Sequence, residues 1–100
     1  MVRGTTPTFK LILNDDTVDL TAATKVYVTF SQTGIKLTKS EDLDVYEKEV
    51  DVYLSQEETL AFVLRSVDIQ INWIYDDGKR ACTNIVKASV GRNLINEVLE

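Results

Sequence analysis

Apolar and polar residues alternate with period two over most of this chain, the signature of strands with one buried face. In TFKLILNDD, Phe9, Leu11 and Leu13 fall on one side and Lys10 and Ile12 on the other, before a polar turn. In KVYVTFSQTGIKLTK, Val26, Val28 and Phe30 share a face. A turn at Thr33-Gly34 sets Phe30 across from Leu37. In LDVYEKEVDVYL, a bend at Glu47-Lys48 sets Leu43 against Val52 and Val45 against Val50. The longest alternation is SVDIQINWIY, with Val67, Ile69, Ile71, Trp73 and Tyr75 on one face and Asp68, Gln70, Asn72 and Ile74 on the other.

Asp77-Gly78 follows that run and reads as a two-residue type I′ turn. The register it implies sets Trp73 against Cys82, Ile69 against Val86 and Val67 against Ala88. Outside, it sets Asp68 against Lys87 and Tyr75 against Arg80, within cation–π reach. It leaves polar Asn84 facing Ile71 on the apolar side, for which a bulge or an amide partner would account. In this register Cys82 is a small buried hydrophobe and not a nucleophile.

Two stretches break the alternation. In SQEETLAF, Ser55 and Glu58 have capping-box spacing and acids crowd the first turn, so a short helix is expected over 55–62, with Leu60 and Phe62 on the core. In VGRNLINEVLE, the residues Leu94, Ile95, Val98 and Leu99 have helical spacing. This short C-terminal helix either lies on its own domain or docks on a neighbouring subunit. The sum is an all-β chain: an immunoglobulin-like β-sandwich of seven or eight short antiparallel strands, with a connecting helix at 55–62 and a short C-terminal helix. It forms a single domain over 1–100 with Trp73 in its core. A small barrel is the competing architecture.

Composition narrows the chemistry. The 100 residues contain no histidine and one cysteine. The Ser–His–Asp triad, imidazole zinc ligation, a redox pair and an internal disulfide are therefore all unavailable. The four glycines are too scattered for a phosphate-cradling loop. The carboxylate pairs Asp15/Asp16, Glu57/Glu58 and Asp76/Asp77 read as turns and a helix start. A net charge of −5 without a basic run argues against nucleic acid. No apolar run approaches a span of about 20 residues, and MVRGTTPTF has no secretory apolar region. No enzyme activity, metal, cofactor or membrane association is expected.

With these elements placed, RGTTPTF at 3–9, KVYVTFSQ at 25–32, LSQEETLAF at 54–62, VDIQINW and DDGKRA within 67–81, and the closing NLINEVL occur in an order that resembles a known group. The chain is similar to small proteins of about this length encoded among the structural genes of tailed phages and prophages of Gram-positive bacteria. The resemblance covers nearly the whole chain and transfers no catalytic residue. It implies a non-enzymatic structural or accessory virion protein of tail, baseplate or capsid. Such a protein would be made in the host bacterial cytoplasm and would bind other phage structural proteins or further copies of itself. The docking residues would be Leu94, Ile95, Val98 and Leu99, or an exposed strand edge. The alternative is a small ligand- or carbohydrate-binding module using the tyrosines Tyr27, Tyr46 and Tyr53.

Overall fold

The computed structural model describes residues 1–95, 98 and 99. Among them, eight strands form two antiparallel sheets. The smaller sheet has the order β1 (Thr8–Ile12), β5 (Glu49–Tyr53), β4 (Leu43–Val45). The larger has β3 (Ile35–Lys39), β2 (Lys25–Gln32) and β6 (Ser66–Ile74). Its far edge is shared by β7 (Arg80–Cys82) and β8 (Val86–Ser89), both paired to β6. One short helix, α1 (Gln56–Leu60), connects β5 to β6.

Alternation decides what is buried. Val26, Val28 and Phe30 of β2 and Val67, Ile69, Ile71 and Trp73 of β6 point inward. They share one core with Val50 and Val52 of β5. Phe30 has no exposed surface and joins the sheets: its ring centroid lies 5.6 Å from Phe9 of β1 and 6.2 Å from Phe62 after α1. The Trp73 indole N–H, which would be costly to bury alone, donates to the Tyr75 hydroxyl at 3.0 Å.

Several expected registers are present. Phe30 pairs with Leu37 around Thr33-Gly34, and Leu43 and Val45 pair with Val52 and Val50. Val67, Asp68 and Ile69 pair with Ala88, Lys87 and Val86. The capping box is also formed: Ser55 Oγ accepts from the Glu58 N–H at 3.1 Å, and Glu58 Oε1 from the Ser55 N–H at 2.9 Å.

The β6–β7 register differs from expectation by one residue. The turn is a three-residue loop, Asp76-Asp77-Gly78, closed by a hydrogen bond from the Tyr75 N–H to Lys79 O at 2.9 Å. Only Gly78 has positive φ (+85°), whereas a type I′ turn needs two such residues. Trp73 therefore faces Ala81, and Cys82 moves to the outer face beside Asn72, where it is exposed. Arg80 lies across from Ile74 instead of Tyr75, and its guanidinium donates to Asn72 Oδ1 at 3.0 Å.

An extra residue between β7 and β8 restores the expected register in β8. In that break Thr83 substitutes for the missing ladder. Its N–H donates to Ile71 O (2.9 Å), and its hydroxyl accepts the Ile71 N–H (3.1 Å). Asn84 is exposed in the bulge, so the awkward pairing with Ile71 does not arise.

The tail also differs. Leu94, Ile95, Val98 and Leu99 lie in non-helical backbone, while Asn96, Glu97 and Glu100 of the expected helix fall outside the described residues. The exposure of Cys82 tests the register. A thiol reagent should label Cys82 in the native protein at a rate close to that of the denatured chain. Protection by several orders of magnitude would restore the two-residue turn and its buried cysteine.

Candidate functional site

Four surfaces carry candidate groups, and the sheets position most of their residues. The first is the outer face of the larger sheet. The inward residues of β2 and β6 leave Tyr27, Thr29, Ser31, Asp68, Gln70 and Asn72 outside. With Lys36 and Thr38 of β3 and Arg80 of β7, they line a shallow concavity of about 650 Å³. Many of its polar groups already have partners. Thr29 and Thr38 hydroxyls lie 3.1 Å apart, Lys87 Nζ is 2.6 Å from Asp68 Oδ1, and Gln70 Nε2 donates to Thr83 O at 2.9 Å. Lys25 Nζ stands 5.7 Å from the centre of the Tyr27 ring.

The second is the outer face of the smaller sheet. In β5, Val50 and Val52 point inward and Glu49, Asp51 and Tyr53 outward, with Asp51 flanked by Lys10 of β1 and Asp44 of β4. Asp51 is only 6% exposed, and its Oδ1 has no hydrogen-bond partner. A hydrogen bond to Asp51, partial burial and the Asp51 charge together raise the Glu49 carboxyl above its ordinary value. The Tyr53 hydroxyl donates to Asp44. That bond and the surrounding carboxylates push its pKa up to about 12. The tyrosines thus do not gather: Tyr27 lies on one sheet, and Tyr46 and Tyr53 belong to the other.

The third is the tail. Leu94, Ile95, Val98 and Leu99 are all exposed, Leu94 at 87%. Their backbone is nevertheless held. Gln56 forms a two-point contact with Leu99, donating to its carbonyl (3.1 Å) and accepting its N–H (2.7 Å). Asn93 Nδ2 donates to Arg3 O at 2.8 Å. Gly4, at φ +77°, makes room, since a Cβ there would stand 3.3 Å from Leu60 and 3.5 Å from both Asn93 and the Ile95 carbonyl. The tail is therefore pinned through polar groups with its apolar side chains outward.

The fourth is an ion pair between buried Lys39 and half-buried Glu58. Lys39 continues the inward positions Ile35 and Leu37 of β3 and is 6% exposed. Its Nζ donates to Tyr53 O (2.6 Å) and Glu58 Oε1 (2.8 Å), tying β3 to the end of β5 and to α1. Burial alone would raise the Glu58 carboxyl, but hydrogen bonds from Lys39 and from the Ser55 N–H outweigh it and hold the carboxyl below its ordinary value. This group is a structural joint. Period-two reading places Lys39 inside but gives no reason to expect a partner, because Glu58 belongs to a helix 19 residues away.

The paired acids occupy turns and a cap. Asp15 accepts from the Thr17 hydroxyl (2.6 Å) and N–H (2.9 Å), and these bonds lower its pKa. Asp77 accepts from the Lys79 N–H at 2.9 Å. Among the described residues no group of three or more His, Cys, Asp or Glu could hold a metal ion, and no helix is long and apolar enough to cross a membrane. The arrangement defines an all-β protein of two sheets whose candidate sites are surfaces. No protein-family model, curated protein or solved structure matches the chain.

Because the folded carboxyl of Glu58 is held low, its contribution to stability is complete above the unfolded value near 4.3 and is lost as pH falls through the lower folded value. Glu58→Gln should therefore lower Tm at pH 7, and the gap from wild type should shrink below about pH 4. A gap that does not change between pH 7 and pH 3, read by thermal melts, would remove the Lys39–Glu58 pair as its cause.

Proposed function

We propose that this chain is a non-enzymatic structural or accessory protein of a tailed-phage particle, in the tail, baseplate or capsid, acting through protein–protein contacts. Its two sheets serve as an immunoglobulin-like sandwich that carries the contact surfaces. It is made in the host cytoplasm and ends in the virion. The observation that carries the reading is the tail. Four apolar side chains face outward on a backbone pinned by Gln56 and Asn93. A chain folding only for itself gains nothing from holding Leu94, Ile95, Val98 and Leu99 in water, whereas a partner covering them gains roughly 25 cal/mol per Å² of apolar area. The sequence resemblance to phage structural-gene products points to the same kind of partner.

A second reading has one observation in its favour. The concavity on the larger sheet has the size of a small-ligand site, with Tyr27 beside hydroxyls, amides and Arg80. A carbohydrate-binding module would present such a face.

Mass spectrometry of purified particles should find the chain, and light scattering should detect a complex with a neighbouring structural protein. Leu94→Asp with Val98→Asp should weaken that complex about tenfold or more without lowering Tm. A chain absent from particles and without any structural-protein partner would overturn the first reading. Saccharide binding by calorimetry that is lost in Tyr27→Ala would replace it with the second.

A further inference from the structure

The outer faces of the two sheets carry opposite charge. On the larger sheet, outward positions hold Lys25, Lys36, Arg80 and Lys87 against the single carboxylate Asp68, which Lys87 neutralises. On the smaller sheet they hold Asp44, Glu49 and Asp51 against Lys10, and in the adjoining turn Glu47 is offset by Lys48. A net charge of −5 hides this division: four of the eleven basic residues collect on one face. The inner faces of both sheets enter one core, so each charged face is turned away from it.

We infer that the cationic face of the larger sheet receives the acidic face of the smaller sheet of a second copy of this chain, in a head-to-tail stack. The occupant follows from charge complementarity, since the same molecule carries both halves of the contact. A second observation lies within the acidic half. Asp51 is nine-tenths buried on that face and has an oxygen with no donor, although Lys10 and Asp44 stand directly across from it. A cationic face laid over this half offsets the negative charge that Asp51 holds there. The Glu49 carboxyl beside it is raised first by its hydrogen bond to Asp51, then by partial burial and by the Asp51 charge. Because two different faces meet, the contact is heterologous. Repetition closes into a ring if the rotation permits and otherwise continues as a filament. This goes beyond the virion reading and does not depend on it: stacking can succeed outside any particle, and its failure leaves the tail contact untouched.

Charge reversal tests the inference. Lys36→Glu with Arg80→Glu makes both faces acidic, and Asp44→Lys with Glu49→Lys makes both basic. In sedimentation velocity at low salt, the full-length wild-type chain should associate, and each variant alone should be at least tenfold weaker. An equimolar mixture of the two should associate again, since each reversed face then meets its complement. Near 1 M salt, where the screening length falls to about 3 Å, wild-type association should also weaken at least tenfold. Thermal melts confirm that the variants fold, and the wild-type salt response stands without them if they do not. A wild-type chain that stays monomeric at low salt overturns the inference, as does a folded variant pair that fails to complement. Retention of a monomeric chain by a polyanionic saccharide would assign the cationic face to that ligand instead.

Discussion

The antiparallel pairing of β2 with β6 is the constraint on which the rest of the structure depends. It runs from Lys25↔Ile74 to Ser31↔Asp68 through the middle of the larger sheet. Because side chains alternate, this one register decides both sides of the sheet at once. Val26, Val28 and Phe30 meet Trp73, Ile71 and Ile69 inside, while Tyr27, Thr29 and Ser31 meet Asn72, Gln70 and Asp68 outside. A slip by one residue would exchange the core for the polar concavity. The slipped register would place Tyr27, Thr29, Ser31, Gln70 and Asn72 in the core and expose Val28, Phe30, Ile69 and Ile71, forfeiting roughly 25 cal/mol for each Å² of apolar area returned to water. The smaller sheet is then held to this ladder through Phe30, which touches Phe9, and through Lys39, which reaches Tyr53 and Glu58.

Where local chemistry permits one answer, the pattern of residues was legible. Thr33-Gly34 lies between runs whose apolar positions match in one register, and Ser55 with Glu58 leaves little choice about where α1 begins. The DDG turn shows the opposite case. Asp77-Gly78 as a two-residue loop and Asp76-Asp77-Gly78 as a three-residue loop are both well-formed hairpins, and they differ by one residue in register. The shorter loop would have set Cys82 inside. The longer loop sets Ala81 against Trp73 and is compensated at Thr83, whose hydroxyl takes over an amide that the ladder leaves free. A hydroxyl acting in place of a strand has no periodic signature. The helical spacing of Leu94, Ile95, Val98 and Leu99 misleads for a related reason. Spacing describes what a helix would gain, whereas Gln56 holds Leu99, Asn93 reaches Arg3, and Gly4 leaves the segment room.

The candidate surfaces were legible in a different measure. Every residue of the two charged faces sits at an outward position of a strand whose alternation is plain in the sequence, yet their division appears only once strands far apart in the chain become neighbours. Lys36, Arg80 and Lys87 come from three strands of one sheet, and Asp44 and Asp51 from two strands of the other. Net charge averages over that arrangement. Asp51 is similar: a sequence reading sees an outward acid on a strand, and only the flanking Lys10 and Asp44 show that it is outward and buried together.

The sheet edges bear on how such a molecule makes contacts. An open edge invites strand addition, which is indifferent to what it pairs with. Here each edge is blunted. β4 has three residues, β1 follows Pro7 and carries Lys10, β3 carries Lys36, and the far edge is split between β7 and β8 by the residues around Thr83. Backbone pairing with a neighbour would have to begin on short or interrupted ladders. The faces and the pinned tail offer longer, chemically distinct surfaces, acidic, basic and apolar, whose partners are limited by charge and by desolvation. A molecule arranged in this way disfavours indiscriminate strand exchange and leaves its two faces and its pinned tail as the longer exposed surfaces.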